Sequence, residues 1–136
     1  MAHWLVKSEP NTYSFDDLVR DGRTVWDGVR NNAAALHLKA MRLGDQTLYY
    51  HSQEGLAVVG IAEVVREAFI DASDPAGRFV AVELAPLRAL ARPVTLAEMK
   101  AEPALAGMAM IRQSRLSVSP VTEAEWGVIT KMSKRD

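Results

Sequence analysis

From Val58 to Ala62 the chain reads Val-Val-Gly-Ile-Ala, apolar at every position. A strand with one wet face alternates apolar and polar residues, so this unbroken run predicts a strand covered on both sides. Gly60, in the middle, admits the close approach of a neighbouring element. With Thr47 to His51 before it and Phe79 to Ala85 after it, the stretch Ala57 to Glu67 reads as the central strand of a closed or nearly closed barrel.

The remaining segments are short and well punctuated. His3 to Val6 is a first strand, stopped by Ser8-Glu9-Pro10 because proline forces its predecessor out of helical geometry. Ser14 can cap the amide of Asp17, Tyr13 and Leu18 sit where a hydrophobic staple would, and Gly22 supplies a left-handed stop, which predicts a helix from Phe15 to Asp21. Trp26 then falls in a connector between two helices. Asn31 or Asn32 caps the second helix, whose Leu36, Ala40 and Leu43 form a stripe expected to face the core, with Gly44-Asp45 closing it. Asp71 to Gly77 is a loop between strands. Thr95 with Glu98 and Thr122 with Glu125 are capping boxes, so helices start near Leu96 and Glu123, with Val121 stapled onto Trp126. Leu116 to Pro120 is the last strand. Strands and helices do not alternate as in a doubly wound sheet, so the fold class is α+β: a mixed barrel of about five to six strands with helices packed outside, one domain over residues 1–136.

The chain has no cysteine, which excludes disulfides and thiolate metal sites and fits a reducing compartment, the cytoplasm. The N-terminal MAHWLVKSEP meets charge at Lys7 and Glu9, and no run approaches the roughly 18 apolar residues of a membrane span, so neither export nor insertion is expected. Sixteen Lys and Arg against seventeen Asp and Glu leave a formal charge of −1, which argues against holding duplex DNA by bulk attraction. The distribution is uneven. Residues 54–85 are acidic, whereas Ile111 to Asp136 carries Arg112, Arg115, Lys131, Lys134 and Arg135 against three acids, so an anionic partner would prefer the C-terminal end.

Signals for catalysis are weak. The histidines His3, His37 and His51 stand alone, and Ser52 beside His51 points to the opposite face if the strand continues through both. Asp16, Asp17, Asp21 and Asp27 crowd one region, but acids in a first helical turn complement the helix dipole and need no metal to explain them. No metal and no cofactor are expected.

Four ordered blocks carry a resemblance: Trp4-Leu5-Val6-Lys7-Ser8-Glu9-Pro10, Trp26-Asp27-Gly28-Val29-Arg30-Asn31, Tyr50-His51-Ser52 and Arg115-Leu116-Ser117-Val118. Together with Val59-Gly60-Ile61 and Pro120-Val121-Thr122-Glu123 they resemble the EVE domain family over nearly the whole chain. The resemblance implies a PUA-like fold related to YTH and ASCH domains. It implies binding of DNA or RNA bearing a modified base, notably cytosine altered at carbon 5, and no catalysis. The matching positions imply a base pocket of Ser8, Trp26, Arg30, Asn31, Tyr50, Ser52 and Ser117. The chain departs from the family pattern at Asn32, Ala33, Ala34 and Ala35, where relatives carry an aromatic residue followed by Gln, Ala and Arg, and at Ser119, where they carry Gln.

By position alone Trp26 reads as a buried structural tryptophan; the resemblance makes its indole a face for a flipped base. Asn31 offers both a donor and an acceptor to a base edge, or caps its helix. The hydroxyls of Ser8, Ser52 and Ser117 line a cavity or serve local turns. Lys7, Arg30 and Arg115 are placed to hold flanking phosphates. Tyr50 reads as a pocket wall or core, and Trp4 and Trp126 as core. One extra methyl is worth about 0.8 kcal/mol, roughly a fourfold preference, so binding should be weak, salt-sensitive and better to single-stranded substrate unless a protein partner adds affinity. The alternatives are a pocket for a small metabolite or anion, and an ASCH-like nucleic-acid hydrolase using His51 or the aspartate group.

Overall fold

The computed structural model describes residues 2–134, so Arg135 and Asp136 of the basic C-terminal stretch lie outside the described residues. Six strands form one mixed sheet in the order β2 (Thr24–Trp26), β5 (Val80–Thr95), β4 (Ala57–Ile70), β3 (Gln46–His51), β1 (His3–Ser8), β6 (Val118–Val121). β1 and β3 run parallel, and every other pairing is antiparallel. Helices α1 (Phe15–Asp21), α2 (Asn32–Ala40), α3 (Leu96–Ala101), α4 (Ala109–Arg112) and α5 (Glu123–Met132), with a 3₁₀ turn at Pro103–Leu105, cover the sheet. None is long and apolar enough to cross a membrane among the described residues.

The alternation of side chains along a strand splits the interior in two. On one side Trp4 and Val6 of β1 and Tyr49 of β3 join Phe15, Leu18, Leu38 and Met41. On the other, Leu5, Leu48 and Tyr50 join Val58, Ile61, Met99, Leu105 and Ile129. β4 feeds both cores, Val58 and Ile61 into the second, Ala62 and Val64 into the first, as its unbroken apolar run requires. A Cβ on Gly60 would lie 2.5 Å from two atoms of the Phe15 ring, so the glycine lets α1 seat its aromatic side chain directly on the strand.

Local signals set several boundaries. Ser14 accepts from the Asp17 amide at 3.0 Å while Asp17 accepts from the Ser14 amide at 2.9 Å, and Gly22 ends α1 with φ of +79°. Thr95 and Thr122 form equivalent boxes at α3 and α5. Trp4 is buried and its indole N–H donates to Asp45 at 3.0 Å; Trp126 packs on the second core and stacks on His3 with ring centres 4.3 Å apart.

Three expectations need correction. Thr24–Trp26 is a strand, paired through Trp26 with Val82 of β5, rather than a connector. β5 does not stop at Ala85 but runs through Pro86 and Pro93 to Thr95, its pairing with β4 interrupted by register shifts that accommodate those residues. The α2 stripe faces outward: Leu36 is 64% and Leu43 62% exposed. Ala34, Leu38 and Met41 face the core instead, because the small Ala34 and Ala35 let the helix lie close against β4, β5 and β6.

Candidate functional site

Where β1 ends, the chain turns past Tyr13 into α1, and residues 24–30 cross beside that turn. Between them lies a cavity of about 560 Å³, lined by Lys7, Ser8, Tyr13, Trp26, Arg30 and Ser117, with Glu9, Thr12, Thr24 and Asp27 among its other residues. The turn is pinned by two hydroxyls on one carbonyl: Ser8 Oγ donates to Tyr13 O at 2.7 Å and the Tyr49 phenol to the same oxygen at 2.8 Å. Burial pushes the Tyr49 hydroxyl well above the usual tyrosine range.

Trp26 stands at the end of β2, half-buried. Its ring meets Tyr49 edge-on, with centres 5.5 Å apart and planes at 82°. The indole is thus braced by the first core while bordering the cavity.

The chain after Trp26 is held by Asp71, whose side chain is fully buried in the loop after β4. Its carboxylate accepts from Gly28 N at 2.8 Å, Arg30 Nη1 at 3.0 Å, Ser73 N at 2.7 Å and Ser73 Oγ at 2.6 Å. Burial alone would raise the Asp71 pKa, but these donors outweigh it and hold the carboxyl far below the usual range. Gly28 takes φ of +76°, a conformation that turns the chain so its N–H reaches the carboxylate.

The expectation that Arg30 holds a phosphate therefore meets a guanidinium already engaged. It donates to Asp71 and to Ser73 Oγ at 3.1 Å, and lies 5.2 Å from the centre of the Phe79 ring. Lys7 Nζ donates to Ser114 O at 2.8 Å, and burial lowers its pKa. Lys7 lines both the large cavity and a second one.

Of the sequence-derived pocket, Ser8, Trp26, Arg30 and Ser117 share the large cavity; Tyr50, Ser52 and Asn31 do not. Tyr50 points to the opposite face of β3 from Tyr49 and is buried in the second core, so it and Ser52 line a separate hollow of about 220 Å³ with Lys7, Leu56, Lys100 and Ser114. The tyrosines beside Trp26 are Tyr49 and Tyr13. Reading the β1–β3 register would have found Tyr49, since it pairs with Val6 and enters the same core as Trp4. Asn31 caps α2, accepting from Ala34 N at 3.0 Å, and lines a third hollow of about 360 Å³ with Arg112 and Arg115. Ser119 is buried opposite Leu5 on β1, away from the large cavity, and its hydroxyl has no partner among the described residues.

Of the groups considered for catalysis, His51, Asp17 and Asp21 are otherwise occupied. His51 Nε2 accepts from the Phe15 amide at 3.0 Å, and burial lowers its pKa against the opposing pull of Asp16. Asp17 is in the capping box and pairs with Arg20; Asp21 pairs with Arg20 and accepts from the Tyr13 hydroxyl at 2.8 Å. Among the described residues no group of three or more His, Asp or Glu could hold a metal ion.

Comparison with known proteins places this geometry in context. The family model of the EVE domain matches residues 2–132. Human thymocyte nuclear protein 1 is 30% identical over 169 residues, an alignment covering 99% of this chain and 75% of that protein. The NMR structure of Rpa0253 from Rhodopseudomonas palustris has a TM-score of 0.93 at 52% identity, covering 98% of this chain and 93% of that one. The crystal structure of human THYN1 protein in complex with DNA containing 5-methylcytosine has a TM-score of 0.95 at 28% identity, covering 100% of this chain and 99% of that one.

Proposed function

The chain belongs to the EVE domain family, and from that membership and the Trp26 cavity we propose that it is a non-catalytic nucleic-acid-binding module that accommodates a flipped, C5-modified cytosine. The observation that carries the reading is the half-buried indole of Trp26 bordering a cavity of about 560 Å³. A cavity of that size admits a nucleobase and part of its sugar. The support from relatives is the THYN1 protein, whose structure holds 5-methylcytosine DNA.

Each part has a physical role. The indole offers a stacking face worth about 1–3 kcal/mol. The hydroxyls of Ser8 and Ser117 serve the base edge, and a methyl in the apolar part of the cavity adds about 0.8 kcal/mol. Lys7, Lys100, Arg112 and Arg115 line the two neighbouring hollows, where the strand on either side of the flipped base would pass. With a formal charge of −1 the chain has little long-range attraction for a duplex, so it favours single-stranded or mismatched substrate. The engaged state of His51, Asp17 and Asp21 supports binding without turnover.

The test is a titration of single-stranded DNA and RNA oligonucleotides carrying cytosine or 5-methylcytosine at one position, against wild type and Trp26→Ala. The expected loss in the variant is roughly 5- to 150-fold. Equal affinity of the two proteins for every oligonucleotide rejects the reading.

A further inference from the structure

We infer that Glu9 and Asp27, the two carboxylates lining the Trp26 cavity, make it select bases carrying an exocyclic amine, so that 5-methylcytosine is held and thymine rejected. The inference rests on the base-binding reading above and names what that site discriminates.

Unlike Asp17, Asp21 and Asp71 nearby, these two carboxylates have no partner within the fold among the described residues. Asp17, Asp21, Asp71, Glu83 and Glu98 each accept from an arginine. The side chains of Glu9 and Asp27 have no hydrogen bond or ion pair among the described residues, and both are exposed. Their placement is also selective. The hollows beside the cavity are lined by Lys7 and Lys100, and by Arg112 and Arg115, with no acid in either. Lys7 and Arg30 also line the cavity, but both donate within the fold, Lys7 to Ser114 O and Arg30 to Asp71 and Ser73, which leaves Glu9 and Asp27 as its unengaged charges; the flanking hollows hold only positive ones.

An ionised carboxylate only accepts hydrogen bonds. A phosphate also only accepts, so these side chains gain nothing from the backbone of a nucleic acid and repel it. The ligand group that gains is a donor, and the amine at carbon 4 of cytosine supplies two N–H bonds; an acidic side chain accepting from that amine is the established complement of cytosine. Thymine has the same ring and the same C5 methyl but presents a carbonyl oxygen at carbon 4, which a carboxylate repels. Stacking on Trp26 and burial of the methyl treat the two bases alike. Only a polar contact at carbon 4 or at the adjacent ring nitrogen separates them.

The experiment measures affinity, by fluorescence anisotropy, for short single strands identical except for 5-methylcytosine, cytosine or thymine at one central position. The proteins are wild type, Glu9→Gln, Asp27→Asn, the double variant and Trp26→Ala. Both amides keep the shape of the side chain and offer a donor to the thymine carbonyl. Losing two negative charges strengthens binding to every strand alike, so the readout is the ratio between strands. Wild type is expected to prefer 5-methylcytosine to thymine by about tenfold or more, and the double variant to bring the ratio near unity. The two single variants apportion the effect. A Trp26-dependent site in wild type that holds thymine as tightly as 5-methylcytosine overturns this inference and leaves base binding standing. So does a double variant that keeps the full preference. Failure of wild type to bind any of the strands overturns both.

Discussion

Arg30 Nη1 stands 3.0 Å from Asp71 Oδ2, and the carboxylate at the inner end of that pair is wholly withdrawn from water. The pair joins parts of the chain 41 residues apart: the segment that follows Trp26 and the loop between β4 and β5. Because Asp71 also accepts from Gly28 N, the indole is followed within two residues by a fixed point of backbone. A base-stacking face gains by being held in place before the ligand arrives, since ordering it on binding would cost affinity.

Asp71→Asn should loosen that segment. The amide keeps the shape but loses the charge that strengthens its hydrogen bonds, and its N–H₂ faces donors rather than acceptors. A loss of about 2–3 kcal/mol is expected, which for a chain of this size lowers Tm by roughly 5–10 °C. Arg30→Ala should cost less, about 1 kcal/mol, because the guanidinium is partly exposed and Gly28 and Ser73 still serve the carboxylate. Thermal unfolding of both variants checks the order; an Asp71→Asn variant as stable as wild type contradicts it.

Gly60→Ala tests the contact between the central strand and α1. The new methyl would stand 2.5 Å from the Phe15 ring, and that ring also packs against Tyr49 at 5.4 Å, so it cannot simply swing aside. Overpacking of this kind costs about 1–3 kcal/mol. Adding Phe15→Leu should recover part of the loss by making room, a coupling that a double-mutant cycle of denaturant unfolding measures.

The central strand was legible because burial on both faces leaves no polar residue to interrupt its pattern, and three helix starts were legible because a capping box is a local interaction, as Ser14, Thr95 and Thr122 show. Less local features were hidden. The α2 sequence supports two apolar stripes: one through Leu36 and Leu43 with the larger side chains, and one through Ala34, Leu38 and Met41 that the sheet selects because alanines allow close approach. β2 is three residues long and exists through its pairing with β5. At the site, the family blocks located Ser8, Trp26 and Ser117 on one cavity, but a one-residue step in β3 exchanges Tyr50 for Tyr49. The engagement of Arg30 depends on Asp71, which a reading of contiguous blocks cannot see.

That engagement separates the arginines in a salt titration. If a side chain neutralises a phosphate, removing it lowers the slope of log affinity against log salt by about 0.7 per contact for a single strand. Arg115→Ala and Arg112→Ala, whose side chains form no ion pair among the described residues, should each show that change. Arg30→Ala should weaken binding through the loosened segment but leave the slope at its wild-type value. Equal slopes for Arg115→Ala and wild type would remove Arg115 from the phosphate path.

Protonation of His51 should destabilise the fold. Its Nε2 accepts from the Phe15 amide, so a proton there breaks the bond and leaves the first amide of α1 without that partner. Burial lowers the His51 pKa from 6.5, with Asp16 pulling weakly the other way. The unfolded chain then binds the proton more readily than the native one, so stability is complete above pH 6.5 and falls as the pH drops from there through the lower native value. His37, also lowered by burial, adds to the loss with the same sign. Tm followed from about pH 8 to about pH 5 should be level at first and then decline by a few degrees. His51→Gln keeps an acceptor for the Phe15 amide but cannot titrate in this range, so its decline should be shallower, with only the part due to His37 remaining. An unchanged pH profile in that variant would mean the imidazole is as easily protonated in the fold as out of it.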